Sequence, residues 1–306
     1  MKTVTVNADD PTESKRKRER FRQAFGSRWR DVRGRNREWV MNRETLQTGR
    51  IQSEYRRFFE RMATDKLLSD TSERRVASGG HWSASHITTA YDKGLKLARA
   101  DMRALGASDE VVRLATNRAD DEHRKRLEQE YEKIYYTTDD HITYAVSKVT
   151  DVLREAIEND RSRTSFVEAS NQVIRSNVAN RYRTAANTAI TRAVNEALVT
   201  SFQIAGVTEV GVAVEELAGN VAVRTNMVRV NAAGDLAFET AGDQNVCADC
   251  MALAGQTVEI SEVRNNPQFQ PPILPGCRCR LVATKMKIGD ETIEAPRDGP
   301  VLRSDE

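Results

Sequence analysis

The sequence predicts an α+β protein, an elongated N-terminal helical bundle or hairpin followed by a small β-rich four-cysteine module. Three observations carry this expectation. Apolar residues recur at helical spacing from about residue 44 to Gly206. Beyond Gly206 the texture becomes valine-rich with partial alternation, broken by Ala-Gly-Asn and Ala-Ala-Gly-Asp, which reads as strands joined by turns. All four cysteines of the 306-residue chain then fall in two tight pairs, Cys247-Ala-Asp-Cys250 and Cys277-Arg-Cys279. The expected organisation is a basic arm (1–43), a helical domain (44–206), the cysteine module (207–284) and a C-terminal tail (285–306).

Composition narrows the class. Charged residues make up 30% of the chain and hydrophobic residues 39%, which suits a helix-rich protein with a modest core. Aromatic content is only 6%, and with the long charged helix faces this favours the elongated arrangement. The net charge of +2 is too small for the average to name a partner. No apolar run approaches the ~18 residues that a membrane span needs, and the N-terminus lacks the apolar core of a signal peptide. Both absences predict folding in a cytosol, where thiols stay reduced.

The arm is where the charge is uneven. Lys15, Arg16, Lys17, Arg18, Arg20, Arg22, Arg28, Arg30, Arg33, Arg35 and Arg37 are interleaved with Phe21, Phe25, Trp29 and Trp39. Guanidinium groups with aromatic rings, Trp29 among them, fit phosphate backbones and stacking, and such a run gains affinity by counterion release. The same run fits an acidic protein surface, and a solvated arm is the ordinary fate of a charge run.

The helices follow in order. Ile51, Tyr55, Phe58, Phe59 and Met62 mark one from Glu44 to about Leu68, and Ser78-Gly-Gly80 breaks the chain. Ile87, Tyr91, Leu95, Ala98, Met102 and Leu105 step by four and three, with Gly106 placed as the residue after the end. Ser108 is expected to cap a long helix reaching about Tyr136, and Thr138 to cap the next through Ile157. Ser165-Phe-Val-Glu168 has the form of a capping box. The strongest helix runs from Asn180 to Ala205. Its apolar side is dominated by small residues (Ala186, Ala193, Ala197), which allow a neighbour to approach closely. Its other side holds Arg181, Arg183, Asn187, Thr188, Thr191, Arg192, Asn195 and Glu196, and solvent exposure is the ordinary reading of such a face.

After Gly206, strands are expected at 207–214, 221–230, 236–238, 256–260 and 277–283, and the tail from Lys285 reads as frayed. Two C-x-x-C and C-x-C pairs can converge four thiolates on one structural Zn²⁺, with Cys247, Cys250, Cys277 and Cys279 as ligands. Disulfides between the pairs, and unligated thiols in a small core, are the other readings of the same residues. A closed metal site would hold a core of this size, since structural zinc binding contributes ~10–16 kcal/mol in model peptides. No histidine stands near the cysteines and no H-E-x-x-H occurs, so neither a catalytic metal nor an enzyme is expected.

Three stretches together resemble a known family. Arg183-Thr-Ala-Ala-Asn-Thr-Ala-Ile-Thr-Arg-Ala-Val-Asn-Glu-Ala-Leu, ending in Ala205-Gly-Val207, looks like the helix preceding the cysteine module in the phage Mu F-like, or head-morphogenesis, family of minor capsid proteins. Glu239-Thr-Ala-Gly-Asp-Gln-Asn-Val-Cys-Ala-Asp-Cys-Met-Ala-Leu-Ala-Gly255 and Pro275-Gly-Cys-Arg-Cys279 look like that family's two cysteine motifs. The likeness covers about residues 140–284. It departs at Ala186-Asn-Thr-Ala189, where the family carries an acidic residue, and at Leu274, where a histidine often stands, leaving an all-cysteine set.

The resemblance implies a structural virion component of a tailed virus, assembled in the host cytoplasm and housed in the capsid interior or at the portal vertex. Its implied partners are the portal protein, other capsid components and double-stranded DNA, and its implied cofactor is structural Zn²⁺. Two other classes stand beside it: a zinc-module DNA-binding regulator, and a nuclease or transferase using Asp243, Asp249 or Glu259 near the cysteines.

Overall fold

The computed structural model describes residues 5–7, 10, 12–47, 49–69, 72–213, 257–266, 269–272, 277, 279–288, 291–294 and 301–303. In order, the elements are β1 (Thr5–Asn7), α1 (Lys15–Met41), α2 (Ile51–Leu67), α3 (Glu73–Ala77), α4 (Ala84–Ala104), α5 (Asp109–Ala115), α6 (Asp121–Glu158) and α7 (Arg163–Val173). A π-helical turn, Ile174–Val178, leads into α8 (Ala179–Ala205). Then come β2 (Val207–Ala213), β3 (Thr257–Glu259), α9 (Ile260–Asn265), β4 (Arg280–Ile288), β5 (Glu291–Glu294) and β6 (Val301–Arg303). Helices dominate the described residues, whose strands form one small antiparallel sheet and one short parallel pair, so the α+β class holds. Cys247 and Cys250, and the strands expected at 221–230 and 236–238, lie outside the described residues.

The chain divides into two compact units. Unit 1 takes Met1–Arg18, Ser85–Glu130 and Asn187–Glu306, and unit 2 takes Glu19–Ala84 and Tyr131–Ala186.

In unit 1 the sheet has the order β3-β2-β4-β5, every neighbouring pair antiparallel. The core joins the expected stripe of α4 (Ile87, Tyr91, Leu95, Ala98, Met102, Leu105) to Ile190, Val194, Leu198 and Phe202 of α8 and to Val210, Leu281 and Met286 of the sheet, all buried. The close approach anticipated from the small residues of α8 is realised at Gly94. A β-carbon there would stand 2.3 Å from the Val194 carbonyl oxygen and 2.7 Å from the Ala197 β-carbon, so only glycine fits. Gly106 ends α4 at φ +89°, with Ala107 N–H donating to the Met102 carbonyl at 3.0 Å, the expected left-handed stop. Ser108 caps α5, its Oγ accepting from Val111 N–H. That helix is short, however, and does not run on to Tyr136.

In unit 2 the aromatic residues of α1 supply the core. Phe21, Phe25, Trp29, Val32 and Val40 recur at helical spacing and are buried, Phe21 and Phe25 against Trp82 and Phe25 also against Tyr182. Buried Asn36 sits in the same stripe, donating to Ser170 Oγ at 3.0 Å and accepting from the Tyr55 hydroxyl at 2.8 Å. The break expected at Thr138 does not occur. Thr138 is buried inside the 38-residue α6, its hydroxyl turned back to the Ile134 carbonyl at 2.8 Å instead of capping a new helix. The cap of α7 is Ser162, not Ser165; its Oγ accepts from Ser165 N–H.

The expected tail is also different. Residues from Lys285 complete β4 and form β5 and β6, and β6 pairs in parallel with β1. Among the described residues no helix is long and apolar enough to cross a membrane.

Candidate functional site

Cys277 and Cys279 stand immediately before β4. Both are buried, at 7% and 3% exposure, the condition a closed thiolate site requires. The backbone around them is gripped by α8. Asn195, fully buried, donates through Nδ2 to the Cys279 carbonyl at 2.9 Å and accepts at Oδ1 from Leu281 N–H at 2.8 Å. One amide side chain thus serves both an acceptor and a donor on the strand, as a neighbouring strand would.

Between those bonds stands Arg280, whose side chain enters unit 1 and meets Asp101 of α4. The pair is bidentate, Nη1 to Oδ2 at 2.8 Å and Nη2 to Oδ1 at 3.3 Å, with both side chains excluded from solvent. Burial pushes the Asp101 carboxyl up from its ordinary value, while the guanidinium pulls it back down.

A second polar band fixes the segment before the cysteine strand. Arg264 of α9 reaches α8, bonding Glu196, Thr200 Oγ1 at 2.8 Å and Gln203 Oε1 at 3.0 Å. Glu196 also accepts from Gln270 Nε2 at 2.7 Å and lies 3.7 Å from Arg126 of α6. Arg192 bonds buried Glu130 at 2.5 Å. Behind them, His123 Nε2 lies 2.9 Å from the Ala115 carbonyl, which can only accept. Nε2 therefore carries the proton, and Nδ1 accepts from the Tyr91 hydroxyl at 2.9 Å. Burial holds the His123 imidazole below its usual value and pushes the Tyr91 hydroxyl up. The polar face of α8 is thus only partly solvated: Arg181 and Arg183 are exposed and Arg192 is half-buried, but Thr191, Asn195 and Glu196 are buried, as are Thr200 and Ser201 further along the helix. Glu130 and Glu196 are buried with their charges matched by arginine, an arrangement suited to fixing geometry.

The basic run is not a free arm, since Lys15–Met41 is helix α1. Lys15, Arg16, Arg20, Arg30, Arg35 and Arg37 are exposed along it, and Lys17, Arg22, Arg28 and Arg33 are half-buried. Two expected contact residues are consumed internally. Trp29 is in the core at 2% exposure, so it offers no stacking face. Arg18 is buried in a polar nest, donating to Thr12 Oγ1 at 2.8 Å, Ser14 Oγ at 2.9 Å and Asp10 Oδ1 at 3.2 Å. Arg28 lies 4.0 Å over the Trp82 ring. Burial, and then the like charges of Arg175 and Arg30 against a counter-effect of Tyr182, pull Arg33 below its ordinary value.

No family model, curated protein or solved structure matches the chain. Among the described residues no group of three or more histidine, cysteine or acidic side chains could hold a metal ion, and half of the expected cysteine set lies outside them.

Proposed function

We propose that the chain is a minor capsid, head-morphogenesis protein of a tailed virus, a structural component of the virion that binds the portal vertex and packaged DNA and aids head assembly, packaging or ejection. One observation carries the reading. Two of the stretches that resemble the family, the helix through Asn195 and the closing Cys277-Arg-Cys279, lie 84 residues apart at their point of contact and are joined by Asn195's bond to Cys279. The likeness thus falls on parts that pack together as one module.

In this proposal the module is a docking element with no catalytic role, which accords with Glu130 and Glu196 being engaged by guanidinium groups. Cys277 and Cys279, with Cys247 and Cys250, would hold one structural Zn²⁺; bound there, the ion would cross-link the two cysteine segments. The exposed arginines of α1 face the portal surface and DNA.

The test is co-purification of the tagged full chain with portal oligomers at moderate salt. Retention of portal supports the reading. A chain that binds neither portal nor DNA under those conditions removes it.

A further inference from the structure

Unit 1 carries a second basic surface, remote in sequence from the α1 run. An open groove of about 920 Å³ lies between α4 and α5, floored by Leu95 and Val112 and lined by Arg99, Arg103, Arg113 and Arg118. Two of the four guanidinium groups are matched by carboxylates. Arg118 Nη1 lies 2.9 Å from both oxygens of Asp92, and Arg103 bonds Asp109 Oδ1 at 3.0 and 3.2 Å. The other two are not. Arg99 is held by neutral acceptors, Thr116 Oγ1 at 2.7 Å and the Thr116 carbonyl at 3.2 Å, and Thr116 is itself buried and tied to the Val112 carbonyl. Arg113 is exposed and makes no ion pair among the described residues. Among the described residues the groove therefore keeps two uncompensated positive charges, one of them pre-positioned by Thr116.

We infer that this groove binds the phosphodiester backbone of duplex DNA. Guanidinium forks match phosphate oxygens bidentately, and Arg99 is already fixed with donors to spare. The groove is far too large for one phosphate, and four guanidinium groups line it. None of its described lining residues is aromatic, so it lacks the stacking platform that single strands require. Asp92 and Asp109 repel a polyanion directly but hold Arg118 and Arg103 in place. The binding is accordingly weak, independent of sequence and steep in salt.

The inference goes beyond the portal reading and does not rest on it, because the residues tested lie outside α1. Binding of a short labelled duplex of arbitrary sequence to the full chain is measured across a salt series by fluorescence anisotropy. Arg113→Gln, an exposed change that leaves the circular dichroism unaltered, should lower the log–log salt slope by about 0.9, and Arg99→Gln/Arg113→Gln by about twice that. Arg16→Gln/Arg20→Gln on α1 serves as the parallel arm, so loss there with no loss at Arg113 separates the two surfaces. An unchanged slope in both groove variants overturns the inference. So does tighter binding of single-stranded DNA through the groove, or polyglutamate that competes for Arg113 as strongly as duplex does, which would assign the groove to an acidic polypeptide.

Discussion

Arg280 reaches Asp101 through two hydrogen bonds, 2.8 and 3.3 Å long, with 0% and 1% of the two side chains exposed. This pair joins the strand that follows the cysteines to α4. Its value lies in the mismatch that follows when one partner is removed, since a lone buried charge is far more costly than a buried pair.

Asp101→Ala should therefore lower stability by about 3–5 kcal/mol, read as a fall in the urea midpoint. Asp101→Leu combined with Arg280→Met should recover most of that loss, because it removes both charges together. A double variant no better than the single one would show that the pair is not coupled.

Gly94→Ala tests the crossing of α4 and α8. The new methyl group would meet the Val194 carbonyl at 2.3 Å, closer than any packing allows. The helices must separate, and the expected cost is about 1–3 kcal/mol with the denaturant slope preserved. Equal stability would mean that the two helices do not approach at this point.

Acid should weaken unit 2 through His141. Burial first, and then the positive Arg181, holds this imidazole down at about 4, against the partial counter-effect of Asp140. A base whose folded value is depressed binds its proton more readily when unfolded. Stability is therefore complete above about pH 6.5 and is lost as pH falls towards 4, by up to roughly 3 kcal/mol. His81 and His123, both lowered chiefly by burial, act in the same direction. His141→Gln should flatten the curve of stability against pH in this window, and a curve of unchanged slope would exclude His141 as its source.

The metal proposal is tested by Cys279→Ser. Elemental analysis should show loss of about one equivalent of zinc, while the helical circular dichroism stays close to that of the parent. The helices should persist because Asn195 bonds the backbone of residue 279, a contact the substitution leaves intact. Parent protein purified without chelator and found to contain no zinc would dismiss the ion.

Much of the helical part was legible because its signals are local. The stripe of α4, its stop at Gly106 and the end of α8 at Gly206 follow from apolar spacing and from backbone conformations that glycine adopts freely. Thr138 was misread because a threonine hydroxyl has two outlets, a helix start or the carbonyl four residues back. The α1 run was misread because its arginines outweighed the period of Phe21, Phe25, Trp29 and Val32, which already marked a buried stripe. Asp101 was missed although it falls within the stripe between Ala98 and Leu105, where a carboxylate needs an internal partner. That partner, Arg280, was beyond reach of any local pattern. The inward-facing polar residues of α8 were missed for the same reason: nothing in residues 187–205 distinguishes water from Arg264 as their partner.

The sequence separation of the Asp101–Arg280 pair, 179 residues, sets an order of events during synthesis. The ribosome delivers the carboxylate long before the guanidinium that neutralises it. Until then α4 cannot bury Asp101 as a charged group without a large penalty, and unit 1 stays open. Closure of this unit therefore waits for translation to pass Arg280, while Glu19–Ala84 and Tyr131–Ala186 have every helical segment of their own unit in hand much earlier.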